Sequence, residues 1–332
     1  MDAEEFQAVR DLLRSFVTRF GVGSGVPDPG TQAQIARQTL DDLGLSELRS
    51  STPVAATAQE CALLAEEHGR QPMTTSFVGT ALLAPELLRL LGDHALPECA
   101  APTIALTEDL RFPGVNPTGG LAAWDCDGAD AALCVAADGT VTVLELGPPA
   151  PTADLGRAVR RIPKDSPSQR LGRLDPAQYA QWQAFALVMV SSELLGAARS
   201  LLEQCVEYAR DRRQYGRAVG SFQAVQHILA DATVLVEACT SATRYAAWCI
   251  DDQQPAQALK AGRVAKAETN TSLPEVIRAA MQVFGGIAQT WEFPAHLYLR
   301  RILVGSLTLA TTPDLLARLA GADSDSDSEA AA

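Results

Sequence analysis

Four arginines, Arg210, Arg212, Arg213 and Arg217, fall within eight residues of this chain. A guanidinium is always charged and presents a planar fork of donors, so one that projects beyond a helix end suits a diphosphate. Nearby, Gln223 brings an amide that both donates and accepts. Downstream, Gln282-Val-Phe-Gly285-Gly286 lacks two adjacent side chains, which lets a ligand approach the backbone. The chemistry these residues serve together is recognition of a phosphate-bearing ligand. They also admit a plainer reading. Arginines at a helix end complement its dipole, and a Gly-Gly pair ends a helix. Residue chemistry alone leaves both readings standing.

Other chemistries find less support. The formal charge of −13 argues against a nucleic-acid partner, which would need a basic footprint, although a local basic cluster still binds phosphate inside an acidic protein. Seven cysteines, at 61, 99, 126, 134, 205, 239 and 249, form no C-x-x-C pair and lie mostly in apolar runs. They read as small buried hydrophobes in a reducing cytosol. Four dispersed histidines have no metal-site spacing. The N-terminus, Met-Asp-Ala-Glu-Glu, has no basic and apolar leader, and no long uncharged apolar run marks a membrane span. A cytoplasmic protein without membrane contact is the expectation.

The elements that must position these residues are mainly helical. Alanine and leucine are abundant and aromatics scarce, which favours helix packing. Residues 3–20 carry Phe6, Val9, Leu12, Leu13, Phe16 and Val17 at helical spacing. Gly21 to Gly30 reads as a loop, followed by helices at 31–43, 55–70 and 74–93. Between about 100 and 165 the period changes to that of strands. Thr103–Thr107, Ala131–Ala136 and Val141–Leu146 are short apolar or alternating runs, and Pro148, Pro149, Pro151, Pro163 and Pro167 close the region. Long helices then fit 178–212, 222–251 and 256–287, with Asp175-Pro176 as a start signal. The helix ending in the arginine motif is expected to run to Tyr215 and stop at Gly216. The fold expected is mainly α with a small β region (α+β): an N-terminal helical region 1–100, a reduced β region 101–165 and a helical bundle 166–320. The acidic low-complexity segment 321–332 is expected to be disordered.

Tyr208-x-x-x-Arg212-x-x-Tyr215-Gly216, then Phe222-Gln223, then Gln282-x-x-Gly285-Gly286 about 60 residues on, resembles the C-terminal bundle of acyl-CoA dehydrogenases. The resemblance covers most of residues 3–320, and the helical–β–helical order is similar too. It implies that the bundle reaches across a subunit interface to the FAD of a neighbour. On that resemblance Arg212 would contact the FAD diphosphate, with Gln214, Tyr215 and Gln223 beside it. Gln282, Gly285 and Gly286 would line the adenosine side. It also implies oxidation of an acyl-CoA thioester, in which a carboxylate removes the α-proton and the flavin accepts a hydride. An electron-transfer flavoprotein is the redox partner that the family points to.

The departures are as informative as the matches. One family position for the base falls on Leu309, within Ser306-Leu-Thr-Leu-Ala310, and the other on Ala186. Neither is a carboxylate. The nearest alternatives are Glu193, two helical turns beyond Ala186 and so roughly 10 Å along the axis, and Asp314, whose default role is capping. Thr107-Glu108 resembles the start of the flavin-contacting segment, but Asp109 replaces its proline. Trp124 is a flavin-contact candidate by type only. These losses fall on the half-site within one chain, whereas the half that reaches to a neighbour survives. The chain therefore resembles the shorter member of actinobacterial α2β2 acyl-CoA dehydrogenases, known from sterol catabolism, which lacks the base and completes its partner's FAD site. The expectation is a chain with no catalytic residue and a base-carrying homologue that holds most of the acyl-CoA. A self-sufficient homo-oligomer with Glu193 as relocated base, and a flavin-free scaffold, are the alternatives.

Overall fold

The computed structural model describes residues 3–21, 31–92, 101–114 and 120–329. The loop expected over Gly21–Gly30 lies almost wholly outside the described residues, as does Cys99. Helix α1 spans Ala3–Phe20 and buries Leu13, Phe16 and Val17, the face that its helical spacing marked. Helix α2 spans Thr31–Asp42, α3 Ala58–Gly69 and α4 Ala84–Leu91. A 3₁₀ turn, Leu45–Arg49, precedes α3, and a π-helical segment, Val78–Leu83, leads into α4. Thr57 and Glu60 form a reciprocal capping box that satisfies the first turn of α3.

The β region is one six-stranded sheet in the order β5-β2-β1-β3-β4-β6. The strands are β1 (Pro102–Thr107), β2 (Leu121–Trp124), β3 (Ala131–Val135), β4 (Thr140–Glu145), β5 (Val159–Ile162) and β6 (Ser168–Arg173). β1 and β3 pair in parallel; the other pairs are antiparallel. The three expected strands are β1, β3 and β4. Strand β6 pairs with β4 beyond residue 165, so the sheet crosses the expected boundary and ends only before Pro176. The prolines at 163 and 167 bracket the β5–β6 turn rather than close the region. β6 is an exposed edge strand of sequence Ser-Gln-Arg-Leu-Gly-Arg. It is held by backbone pairing, so no apolar alternation announced it.

The bundle consists of α5 (Pro176–Asp211), α6 (Gln223–Asp252), α7 (Pro255–Phe284), α8 (Ala295–Gly305) and α9 (Thr312–Glu329). Asp175 and Gln178 cap α5 reciprocally, with Pro176 in its first turn. An 18-residue window of α5 is apolar enough to match a membrane span by composition, but 94% of it is buried inside the protein, as in a core helix. α3 crosses α5 where both carry glycine. A Cβ on Gly69 would lie 2.0 Å from the Glu193 carbonyl oxygen, and one on Gly196 would lie 1.9 Å from that of Glu66. This contact sets α3 against α5 and brings His68 to Glu193. The backbone of α9 is helical to Glu329, through most of the segment expected to be disordered.

Candidate functional site

Helix α5 ends earlier than its sequence suggested. Its last residue is Asp211, and Arg212 is extended (φ −68°, ψ 122°). The Arg212 N–H donates to the Tyr208 carbonyl at 2.8 Å, and its own carbonyl accepts from Val219 N–H at 2.7 Å. Between these anchors, β7 (Arg213–Gln214) and β8 (Arg217–Ala218) pair as a hairpin. Tyr215 and Gly216 form its two-residue turn at φ 51° and 80°. Paired positive φ angles match the right-handed twist of hairpin strands, so Gly216 makes a turn and does not stop the helix. The tip thrusts Tyr215 into solvent, 94% exposed. Behind it, Phe222 meets the Tyr215 ring edge-on at 6.3 Å and lies 4.0 Å beneath the Arg217 guanidinium.

Because α5, α6 and α7 run antiparallel in turn, the ends of α5 and α7 and the start of α6 share one end of the bundle. Tyr208 stacks on Phe284 at 5.2 Å, which ties the end of α7 to the end of α5. Gln223 is the first residue of α6 and is exposed. Gln282 is exposed in the last turn of α7. Gly285 ends α7 at φ 68°, a conformation that favours glycine. Gly286 has no such constraint, and nothing lies within 4 Å of where its Cβ would be. The chain's own packing gives no reason for that glycine. Among the described residues, Arg210, Arg212, Arg213 and Arg217 make no ion pair with a carboxylate. The structure thus gathers Arg212, Gln214, Tyr215, Gln223, Gln282, Gly285 and Gly286 at one open, cationic end.

The opposite holds where the family's base would be. Ala186 is fully buried within α5. One turn before it, Trp182 is buried and meets Phe112 edge-on at 5.6 Å. Leu309 is 2% exposed and sits at φ 71°. Its N–H donates to the Leu110 carbonyl at 2.7 Å, and its carbonyl accepts from Phe112 N–H at 3.2 Å. The turn that would carry a base is therefore hydrogen-bonded to the segment that follows the Thr107-Glu108 match. That segment is itself closed: the Thr107 N–H donates to the Arg111 carbonyl at 3.0 Å, the Arg111 N–H donates to the Thr107 side-chain hydroxyl at 2.9 Å, and Leu110 has φ 60°. From the far side, the buried Lys266 on α7 donates to the Gly305 carbonyl at 2.9 Å and to the Asn270 side-chain oxygen. Asn270 in turn donates to the Ala310 carbonyl at 3.1 Å. Burial, helped by Arg111, pushes the Lys266 amine down to about 7. The sequence marks this lysine only weakly, by Val264, Ala265 and Ala267 around it and the amide of Asn270 at i+4.

Glu193 lies in a buried ion network. It pairs with Arg157, with Arg301 at 3.4 Å and with His68 at 3.3 Å. Arg157 also holds Asp125 at 2.6 Å, and Arg301 holds Asp154 at 2.5 Å. Burial works to raise the Glu193 pKa, but Arg157 and Arg301 outweigh it and hold the carboxyl well below the usual range. A carboxylate so placed resists taking a proton and has no exposed surface, which makes it a poor base. Trp124 packs in the same region, with Arg157 4.5 Å above its ring. Asp314 is exposed in the first turn of α9, held low by hydrogen bonds from Thr311 and paired with Arg111 at 3.5 Å. The six described cysteines are buried and unpaired, and burial pushes the thiols of Cys61, Cys126, Cys205 and Cys239 up to about 12. Among the described residues no cluster of His, Cys, Asp or Glu could hold a metal.

Residues 184–309 match the family model described as acyl-CoA dehydrogenase, C-terminal domain. The acyl-CoA dehydrogenase IpdE2 of Mycobacterium tuberculosis is 27% identical over 331 residues, 95% of this chain and 96% of that protein. Among solved structures, a variant of the Tcur3481-Tcur3483 steroid ACAD superposes with a TM-score of 0.79 at 21% identity, covering 98% of this chain and 99% of that one. The ChsE4-ChsE5 complex from Mycobacterium tuberculosis gives 0.76 at 19% identity, covering 96% and 97%. At these identities the structures speak to the fold.

Proposed function

Because the chain belongs to the acyl-CoA dehydrogenase family, we propose that it is a subunit of an FAD-dependent acyl-CoA dehydrogenase that completes a partner's FAD site and supplies no base of its own. The observation that carries this reading is the backbone bridge between Leu309 and Leu110–Phe112. The turn that bears the base in relatives here bears a buried leucine and is hydrogen-bonded to the facing segment. The alternative base, Glu193, is committed to two arginines.

The open end suits FAD by its charge and by its accessible backbone. Arg212 has no carboxylate partner among the described residues, and Gly286 leaves backbone accessible. FAD, when bound, supplies the hydride acceptor. This chain's part is to bind and orient. The Arg212 guanidinium offsets diphosphate charge, the Gln223 amide adds a donor at the start of α6, and Gly285-Gly286 admits the adenosine side. Gln214 and Tyr215 on the hairpin pack beside it. The partner we infer is a base-carrying homologue in an α2β2 assembly, holding most of the acyl-CoA and passing electrons to an electron-transfer flavoprotein. The solved relatives described as a steroid ACAD and as the ChsE4-ChsE5 complex support a heteromeric assembly and a sterol-derived CoA ester. The buried free thiols fit a reducing cytoplasm.

The test is to express the chain alone and with its partner homologue. FAD and turnover are expected only in the complex, and Arg212→Ala should strip flavin from it. Stoichiometric flavin with turnover on the chain alone would refute the reading. Unchanged flavin content in the Arg212→Ala complex would favour the scaffold alternative.

A further inference from the structure

Helix α6 carries two stripes of helix-packing residues, and the bundle uses one. Ala232, Val236, Cys239, Thr243, Ala246 and Ile250 follow steps of four and three and are buried. On the opposite side Val234, Ala238, Ser241, Tyr245 and Trp248 follow the same steps and are exposed. Val234 is 67% exposed and Tyr245 53%. The Tyr245 and Trp248 rings lie 5.8 Å apart. Steps of four and three average about 3.5 residues, the spacing at which one helix lays a continuous seam against another. An exposed apolar seam that includes a Tyr–Trp pair marks an interaction face, and those two residue types carry much of the binding energy of such faces.

The seam is bounded on both flanks and uncharged in its middle. On one flank Glu237 and Arg244 are held within the chain by Arg199 and Glu66. On the other, Leu235 and Ala242 are half-buried against the core. Titratable groups return only at its ends, with His227 and Asp231 at one and Asp252 at the other, all exposed. That order makes the seam complementary to itself. Let two copies of α6 cross antiparallel about a two-fold axis between Cys239 and Thr240. Ala238 then faces Ser241 of the second copy, so small residues meet at the crossing and the backbones can approach. Val234 faces Tyr245. Farther out, the Trp248 indole N–H faces the Asp231 carboxylate, and the His227 imidazole faces the Asp252 carboxylate. Sliding one heptad either way sets Trp248 against Ala224 or Ala238 and loses both carboxylate contacts. A parallel pair would set Asp231 on Asp231 and crowd both hairpins at one end.

We propose that the exposed face of α6 is a contact between two copies of this chain, packed antiparallel with Ala238 against Ser241. A second copy is the occupant because the two ends of the seam answer each other in charge when the sequence is reversed on itself. The arrangement sends the two hairpin ends about 45 Å apart, the length of the 30-residue α6, and leaves each open. No seam residue belongs to the flavin-facing end, so the contact stands without the flavin reading and the chain alone suffices to form it. Sedimentation of the full chain at micromolar concentration should show a dimer. Ala238→Glu brings a carboxylate from each copy to the axis and should weaken that dimer about a hundredfold, with helix content by circular dichroism unchanged. Tyr245→Ser should weaken it about tenfold, and Arg212→Ala should leave it unchanged. Under mild oxidation Val234→Cys with Tyr245→Cys in one chain should link two copies, whereas Thr233→Cys with Tyr245→Cys, which moves one thiol off the seam, should not. A parent chain that sediments as a monomer would overturn the proposal. So would a dimer indifferent to both Ala238→Glu and Tyr245→Ser, or links formed by the off-seam pair alone. In a complex with the base-carrying homologue, protection of the seam by that homologue in place of a second copy would overturn it as well.

Discussion

The two ends of the candidate site are built on opposite principles. At the hairpin end, side chains with binding chemistry are exposed, cationic and, among the described residues, without a carboxylate partner, and none of those residues comes within 4 Å of a Cβ placed on Gly286. At the Leu309 end the side chains are apolar and the backbone groups are tied to each other. An interior that makes a site must leave volume and keep polar groups free, at a cost in packing. The Leu309 end offers neither, and its core is closed. The hairpin end has kept features that add nothing to the stability of a lone chain.

That contrast is sharpest in the effect of single changes. The largest effect on stability is expected from Glu193→Ala. It leaves Arg157 and Arg301 buried with one carboxylate fewer, and loss of a buried ion-pair partner costs about 3–5 kcal/mol. Denaturant melts should show the midpoint falling without a change in slope. Next in size, Arg212→Ala should weaken FAD retention by the complex by about 1.5–3 kcal/mol, the usual range for a charge-assisted hydrogen bond. Its own melting temperature should barely move, since Arg212 is exposed. Flavin absorbance after gel filtration measures the first effect and calorimetry the second. If the hairpin were merely structural the two would move together.

Lys266 makes the closed end pH-dependent. Its folded pKa of about 7 lies below the ordinary 10.5, so between those values the unfolded chain holds the extra proton. Stability should therefore rise with pH across that window and be lowest below it, with a slope of at most about 1.4 kcal/mol per pH unit from one proton. Lys266→Met should flatten the slope, which melting curves from pH 6.5 to 10 would reveal. The smallest effect on stability is expected from Gly286→Ala. With no contact within 4 Å and no positive φ, it should change stability by less than about 0.5 kcal/mol. In the complex it should nevertheless lower flavin affinity, which a flavin titration would measure.

Much of the helical frame was legible. α1 has the bounds that its apolar spacing gave, and the Asp175-Pro176 signal marks the start of α5. Local signals of this kind depend on neighbours within one or two turns. Strands β2, β5 and β6 escaped notice because they are short or polar and are held by partners far away in sequence. The helix end was misplaced by four residues because Tyr215-Gly216 reads equally as a C-cap or a hairpin turn; the Arg212–Val219 hydrogen bond decides between them. Glu193 could be picked out as a carboxylate near the right place. Its partners, Arg157, Arg301 and His68, are scattered along the chain, so its commitment to a buried network could not be read from spacing.

By itself the sequence determined which chemistry the chain could offer. Arg212, Gln223 and Gly285-Gly286 stand at spacings that a family shares, and Ala186 and Leu309 hold no carboxylate. Those are facts of composition and order, independent of folding. Tertiary structure alone decided that the arginines lie open and, among the described residues, without a carboxylate partner, that Leu309 is bridged to Leu110 and Phe112, and that the Glu193 carboxylate is paired with Arg157 and Arg301. Each depends on segments distant in the sequence meeting in a low-dielectric interior or failing to meet at a surface, which is a property of packing.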